Sequence, residues 1–236
     1  MAKPEQLFLG LSLSDEATFA NFFTQPKSAN ALVVSSLLNF FSDTQEHFIY
    51  LWGVSGSGVT HLLQAVCHQA QAKNLSFQYL PLRELVGYSP EELCRGLDNL
   101  DLVCLDGIEA VIGRDDWERE LFHLFNRMKS AQHKLIIAAN APARELPIQL
   151  ADLSSRLQWG LTLHLQNMTD LEKQSALQLR AKARGLELNN EVAQYLIQHL
   201  TRDTNELFWQ LQRLDNASLQ EQRKLTIPFV KKVLGF

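Results

Sequence analysis

Cysteine is scarce in this chain. Cys67, Cys94 and Cys104 are the whole set in 236 residues, scattered and without a Cys-x-x-Cys pair. Neither a disulfide framework nor a zinc site is expected from them, and a reducing, cytoplasmic setting fits best. Long apolar runs are missing as well. The stretch 7–13 is broken by Gly10 and Ser12 and followed closely by Asp15 and Glu16, which is too short and too polar for a signal peptide or a membrane helix. Positive charge is not in excess: the formal net charge is -4 and the pI is near 6.0. No overall field draws in a polyanion, so direct sequence-specific binding of DNA is not expected, although a local basic patch is left open. Internal repeats and low-complexity tracts are absent.

A hydrophobic fraction of 46% over this length can bury a sizeable core. Apolar runs that read as buried strands, at 48–52, 77–80, 102–105, 134–139 and 161–165, alternate with segments of helical period. That alternation predicts an α/β fold, a five-stranded mostly parallel sheet with helices on both faces. Ser89-Pro90-Glu91-Glu92 reads as an N-cap serine before a proline in the first turn, with Glu92 closing a capping box, and Asp115 reads as the cap of the next helix. From Thr169 onward only helical periods remain. Thr169 and Glu172 are spaced as a second capping box, Gly185 reads as a helix-ending glycine, Asn189 or Asn190 as the next cap, and Pro228 as the start of a short last helix. Three parts are expected: an arm and linker over 1–18, an α/β nucleotide-binding part over 19–168 and an all-helical lid over 169–236.

The segment from Gly53 to Thr60, with Gly56, Ser57, Gly58 and Val59 between, follows a strand and opens a helix. A phosphate-binding loop needs that placement, because backbone N–H groups then wrap the phosphates at the helix N-terminus. Thr60 occupies the position of the Mg²⁺-binding hydroxyl, yet valine stands at 59 where such loops carry lysine. Asp106 ends a buried strand and suits Mg²⁺, and Glu109, three residues on, suits the orientation of an attacking water. Asn140 ends the next strand, at the sheet edge where open α/β folds bind ligands. Any one of these is an ordinary turn or cap residue; together they lie in the right order on the right strands. His61, next after Thr60, completes the set expected to line the nucleotide. No histidine at i+4 equips His61, His68, His123 or His199 to ligate metal.

These residues resemble the AAA+ ATPase family, and within it the bacterial replication initiators of the DnaA type. Residues 52–62, Asp106 to Glu109, Asn140 and the segment Leu153-Ser154-Ser155-Arg156-Leu157-Gln158-Trp159-Gly160 resemble the initiator's Walker A, Walker B, sensor I and arginine-finger box in turn. The similarity runs from about Phe19 to the C-terminus, where an initiator would continue into a DNA-binding helix-turn-helix domain. Gln6-Leu7-Phe8-Leu9-Gly10-Leu11 resembles the short peptide that docks into the β sliding clamp of DNA polymerase III, with Gln6, Leu7, Leu9 and Leu11 as anchors. The resemblance implies a regulator of DNA replication initiation. It would dock on the clamp and stimulate ATP hydrolysis by DnaA through Arg156 as a finger in trans, preventing over-initiation.

Two departures from the family pattern fall on the γ-phosphate side. Val59 removes the loop cation, and Asn205 stands where the initiator lid carries its sensor II arginine, with Arg202 one turn earlier as the nearest replacement. A nucleoside diphosphate is therefore the expected ligand, with Mg²⁺ held by Thr60 and Asp106. ADP follows from the resemblance, and CDP is also compatible, since no residue visibly specifies the base. Efficient ATP turnover by this chain alone is not expected. A stand-alone P-loop ATPase or nucleotide kinase is the alternative, separable by turnover of the isolated protein. A DNA-stacking loader is a further rival, separable by titration against labelled DNA. Whether the chain self-associates is left open.

Overall fold

The computed structural model describes residues 13–42, 46–200 and 203–235. Arg202, Gln6, Leu7, Leu9 and Leu11 lie outside the described residues. Five strands, β1 (Phe48–Trp52), β2 (Phe77–Pro81), β3 (Leu102–Asp106), β4 (Lys134–Ala139) and β5 (Leu161–His164), form one parallel sheet in the order β2-β3-β4-β1-β5. The ladder continues one bond past β5, where Leu165 N–H donates to the Trp52 carbonyl at 2.8 Å.

Alternation along the strands sorts the core into two layers. Phe48, Tyr50, Val103, Leu105, Leu135 and Ile137 face one side with Trp117, Leu121 and Phe125. Ile49, Leu51, Leu102, Cys104, Ile136 and Ala138 face the other with Leu62, Leu63 and Val66. The helices of this body are α1 (Ala29–Asn39), α2 (Val59–Ala72), α3 (Leu82–Leu85), α4 (Pro90–Cys94), α5 (Asp115–Ala131) and α6 (Ala151–Leu157). The first apolar layer is filled by α5 and the second by α2. All three cysteines are free and buried.

The lid is helical: α7 (Asp170–Ala183), α8 (Asn190–His199), α9 (Thr204–Glu221) and α10 (Ile227–Leu234). It has its own core, in which Leu177, Leu196, Leu207, Leu211, Leu214 and Phe229 pack together. The capping box at Thr169 and Glu172 forms in both directions, Asn189 caps α8, and Gly185 takes the left-handed conformation, φ +73, just after α7.

Two caps differ from expectation. Ser89 Oγ accepts from Glu92 N–H at 3.4 Å, but no return bond from the Glu92 carboxylate forms, so the box is half closed. Asp115 is the first helical residue of α5 and not its cap. Arg114 holds the cap position without a side-chain bond to the helix-end amides, and the Asp115 carboxylate accepts instead from Arg119 Nε, one turn on, at 2.9 Å.

Candidate functional site

The carboxyl ends of the strands are laced together, and the phosphate loop hangs from them. Gly53 N–H donates to the Ala139 carbonyl at 3.2 Å and Gly107 N–H to the Ala138 carbonyl at 3.1 Å. A Cβ at position 53 would lie 2.6 Å from the Leu165 carbonyl oxygen, so only glycine passes between β1 and β5 here. Gly58 sits at φ +100 against the Phe22 ring and starts α2. The first helical bond is Leu62 N–H to the Gly58 carbonyl at 3.0 Å. The amides of Val59, Thr60 and His61 therefore stay open at the helix end, with the positive end of its dipole behind them. Ser57 N–H, expected among the phosphate donors, instead closes the loop on the Val54 carbonyl at 3.0 Å. That is a correction, because a tight turn consumes one of its own donors.

A cleft of about 600 Å³ opens over this loop, within the usual size of small-ligand sites. Its walls include Gly53, Gly56, Ser57, Gly58, Val59, Thr60, His61, Asp106, Glu109 and Asn140 from the body, Glu16 and Phe22 from the N-terminal side, and Arg180, Asn205 and Phe208 from the lid. The structure thus gathers Asp106, Glu109, Asn140, Thr60 and the whole loop set into one space. Two polar atoms of the wall, Ser57 Oγ and Arg180 Nε, are buried with no hydrogen-bond partner among the described residues, as suits a cavity shaped for a polar ligand.

Asp106 accepts from the Thr60 hydroxyl and from the Tyr79 hydroxyl, each at 2.7 Å and both on Oδ2. Burial pushes its pKa up, the two hydroxyls pull it back, and the Glu109 charge raises it again. A desolvated carboxylate touching a hydroxyl is a donor set that fits a hard cation, with phosphate oxygens and water completing the shell. Burial, with the Asp106 charge second, likewise raises the Tyr79 phenol. Glu109 is paired with Arg83 and also accepts from the Asn140 backbone N–H at 3.3 Å. Among the described residues no group of three or more His, Cys, Asp or Glu side chains could hold a metal, and no helix is long and apolar enough to cross a membrane.

His61 lines the cleft, but both ring nitrogens are engaged by protein: Nε2 with the Thr18 carbonyl at 2.8 Å and Nδ1 with Arg180 at 2.9 Å. Arg156 is not brought to the cleft. It stands on α6 with its guanidinium 5.9 Å from the Phe125 ring, which Trp159 meets edge-on and half exposed. What holds α6 in place was not visible in the pattern. Glu118 on α5, 1% exposed, accepts from Gly113 N–H and Leu150 N–H at 2.7 Å and from Gln149 N–H at 3.0 Å, capping the start of α6 from outside the helix. An acid flanked by tryptophan and arginine on an amphipathic helix carries no local signal of burial.

A glycine loop closed under a helical lid, beside a parallel sheet in this strand order, defines an AAA+ protein of the P-loop class. The family model described as "Bacterial DnaA ATPase domain" matches residues 13–164, and that described as "Hda, lid domain" matches 170–234. This chain belongs to the bacterial DnaA ATPase-domain family and carries a lid of the Hda type, which makes it a DnaA-homologous, replication-initiation-related AAA+ protein. Among solved structures it is similar to domain III of the replication initiation protein DnaA from Thermotoga maritima, at 21% identity and a TM-score of 0.80 over 95% of this chain and 98% of that one. It is also similar to AMPPCP-bound DnaA from Aquifex aeolicus, at 22% identity and a TM-score of 0.73 over 88% of this chain and 68% of that one. The RuvB Holliday junction branch migration motor of Thermotoga maritima shares the fold at 15% identity and a TM-score of 0.66, over 89% and 69% of the two chains.

Proposed function

We propose that this chain is a nucleotide-bound regulator of replication initiation. It docks on the β sliding clamp through Gln6, Leu7, Leu9 and Leu11 and stimulates ATP hydrolysis by DnaA through Arg156. The resident ligand in this reading is a nucleoside diphosphate, ADP by family likeness with CDP compatible, and Mg²⁺ is held by Thr60 and Asp106.

The observation that carries the reading is a separation. Thr60, Asp106 and Glu109 meet in a cleft where Val59 and Asn205 supply no cation, while Arg156 stands outside that cleft on α6. Within its own site this chain therefore lacks the two cations that the family pattern directs at a γ-phosphoryl group; Arg83 on the cleft wall is paired with Glu109, which also accepts from Asn140, and Arg184 is paired with Glu16. A finger supplied to another chain's site answers the same need there. Such a guanidinium is worth about 10³ to 10⁵ in rate, or roughly 4 to 7 kcal/mol of barrier.

The test is hydrolysis of DnaA-bound ATP in the presence of loaded clamp, with and without this protein. Arg156→Ala should keep the fold, the clamp contact and nucleotide binding but lose the stimulation. Lysine should not restore it, since a point charge lacks the planar fork. Full stimulation by Arg156→Ala would end the assignment of the finger.

A further inference from the structure

Arg180 is a part-buried cation that the reading above leaves without a task. It projects from α7 into the cleft wall, its guanidinium 3.7 Å from the Phe208 ring centroid and its Nη2 donating to His61 Nδ1 at 2.9 Å. Among the described residues no carboxylate is bonded to it. Glu16, the acid whose charge it feels, is bonded to Arg184 at 2.6 Å. Nε is buried with no partner. A desolvated charge left this way is costly unless an anion compensates it.

The helix geometry says which part of a nucleotide would do so. Consecutive residues of an α-helix point about 100° apart. Thr60 faces Asp106, whereas His61 faces Thr18 and Arg180. Arg180 thus stands across the loop from Thr60 and Asp106, the residues given to Mg²⁺ in the reading above, and so away from the β,γ end of a phosphate chain that such a metal would bridge. We infer that Arg180 is a ligand of the nucleotide's α-phosphate, held flat for that contact between the Phe208 ring and His61. This rests on the nucleotide-bound reading and deepens it: the cation missing at Val59 and Asn205 is kept at the other end, where it serves diphosphate and triphosphate alike. The guanidinium lying over the Phe208 ring with Nε left free also explains arginine in place of lysine, since a planar fork can stack and still donate.

Calorimetric titration of the full chain with ADP and with ATP, in Mg²⁺ and at several ionic strengths, tests the inference, with folding of each variant checked by circular dichroism. Arg180→Met should weaken ADP and ATP by the same factor, about tenfold or more, and should flatten the salt dependence of ADP binding, because one cation–phosphate contact is gone. Arg180→Lys, which keeps the charge, should regain part of both. A loss confined to ATP would make Arg180 a γ-phosphate cation and overturn the inference. So would an equal loss with unchanged salt dependence, which is the signature of a base contact or of a lid merely loosened. Unchanged affinity overturns it while leaving the nucleotide reading intact; a parent protein that binds neither ligand overturns both.

Discussion

His61 accepts a hydrogen bond at Nδ1 from Arg180, 2.9 Å away, and meets the Thr18 carbonyl with Nε2 at 2.8 Å. Arginine only donates and a carbonyl only accepts, so the ring is neutral with its proton on Nε2. One imidazole thereby joins α2, the lid and the segment that leads in from the N-terminus. The same segment is tied down further by Ser14, whose N–H donates to Gln64 and whose carbonyl meets His68, and by Glu16 on Arg184.

The pairing predicts how stability depends on pH. Burial lowers the His61 pKa from 6.5 to about 4, the Thr18 bond and Glu16 oppose the shift, and the Arg180 and His68 charges add to it. The unfolded chain then takes up a proton near pH 6.5 that the folded chain refuses until about pH 4. Stability is accordingly lost as pH falls through that window, by about 3 kcal/mol at most. Glu16, held low by Arg184, contributes its own loss only below pH 4.5. Urea unfolding at pH 7, 5.5 and 4.5 should follow this course, and His61→Gln should flatten the upper part of it. An unchanged slope in that variant would assign the proton elsewhere.

Val59 predicts a preference among nucleotides. It is the first residue of α2 and lines the cleft, so restoring lysine there adds a cation on the phosphate side. ADP should bind the parent chain more tightly than ATP, and Val59→Lys should strengthen ATP by roughly tenfold while changing ADP less. Calorimetry in Mg²⁺ reads both. Tighter ATP than ADP in the parent chain would contradict the argument.

Glu118 predicts a large effect on stability from a residue outside the cleft. Glu118→Ala leaves three backbone N–H groups, those of Gly113, Gln149 and Leu150, without their buried acceptor. An unsatisfied buried donor costs about 1 to 3 kcal/mol, so a loss of about 3 kcal/mol or more is expected in chemical denaturation. Stimulation of DnaA should fall as well, since α6 carries Arg156. A loss below 1 kcal/mol would mean that water replaces the carboxylate.

The N-terminal peptide predicts a separable activity. Gln6→Ala, Leu7→Ala and Leu9→Ala together should abolish binding to the sliding clamp and leave ADP binding intact, because an extended peptide docks through its own side chains. Surface plasmon resonance against immobilised clamp decides it, and undiminished affinity would refute the docking role.

Much of the fold was legible because its determinants are local. A strand buried on both faces must be a short, continuous apolar run, so the central strands β1, β3 and β4 announce themselves, while the edge strands β2 and β5, only partly buried, are apolar enough to be read with them. Caps such as Thr169 with Glu172, or Asn189, act within four residues of where they are written. The phosphate loop is a contiguous segment, and its missing lysine can be read directly. Local signals also misled where two near neighbours competed: Asp115 reads as a cap, but Arg119 is within its reach and claims the carboxylate.

The sequence by itself determined the strands, the helical lid, the loop and the absence of cations at 59 and 205. Only the tertiary structure decided the company of the charged side chains. His61 and Arg180 are 119 residues apart and Glu16 and Arg184 are 168 apart, and Glu118 reaches a helix start 32 residues away. Such contacts form because the lid folds down over the sheet edge and α5 packs beside α6. No periodicity encodes them, since each rests on burial that the whole chain creates, and burial is what turns an ordinary surface acid or arginine into a positioned one.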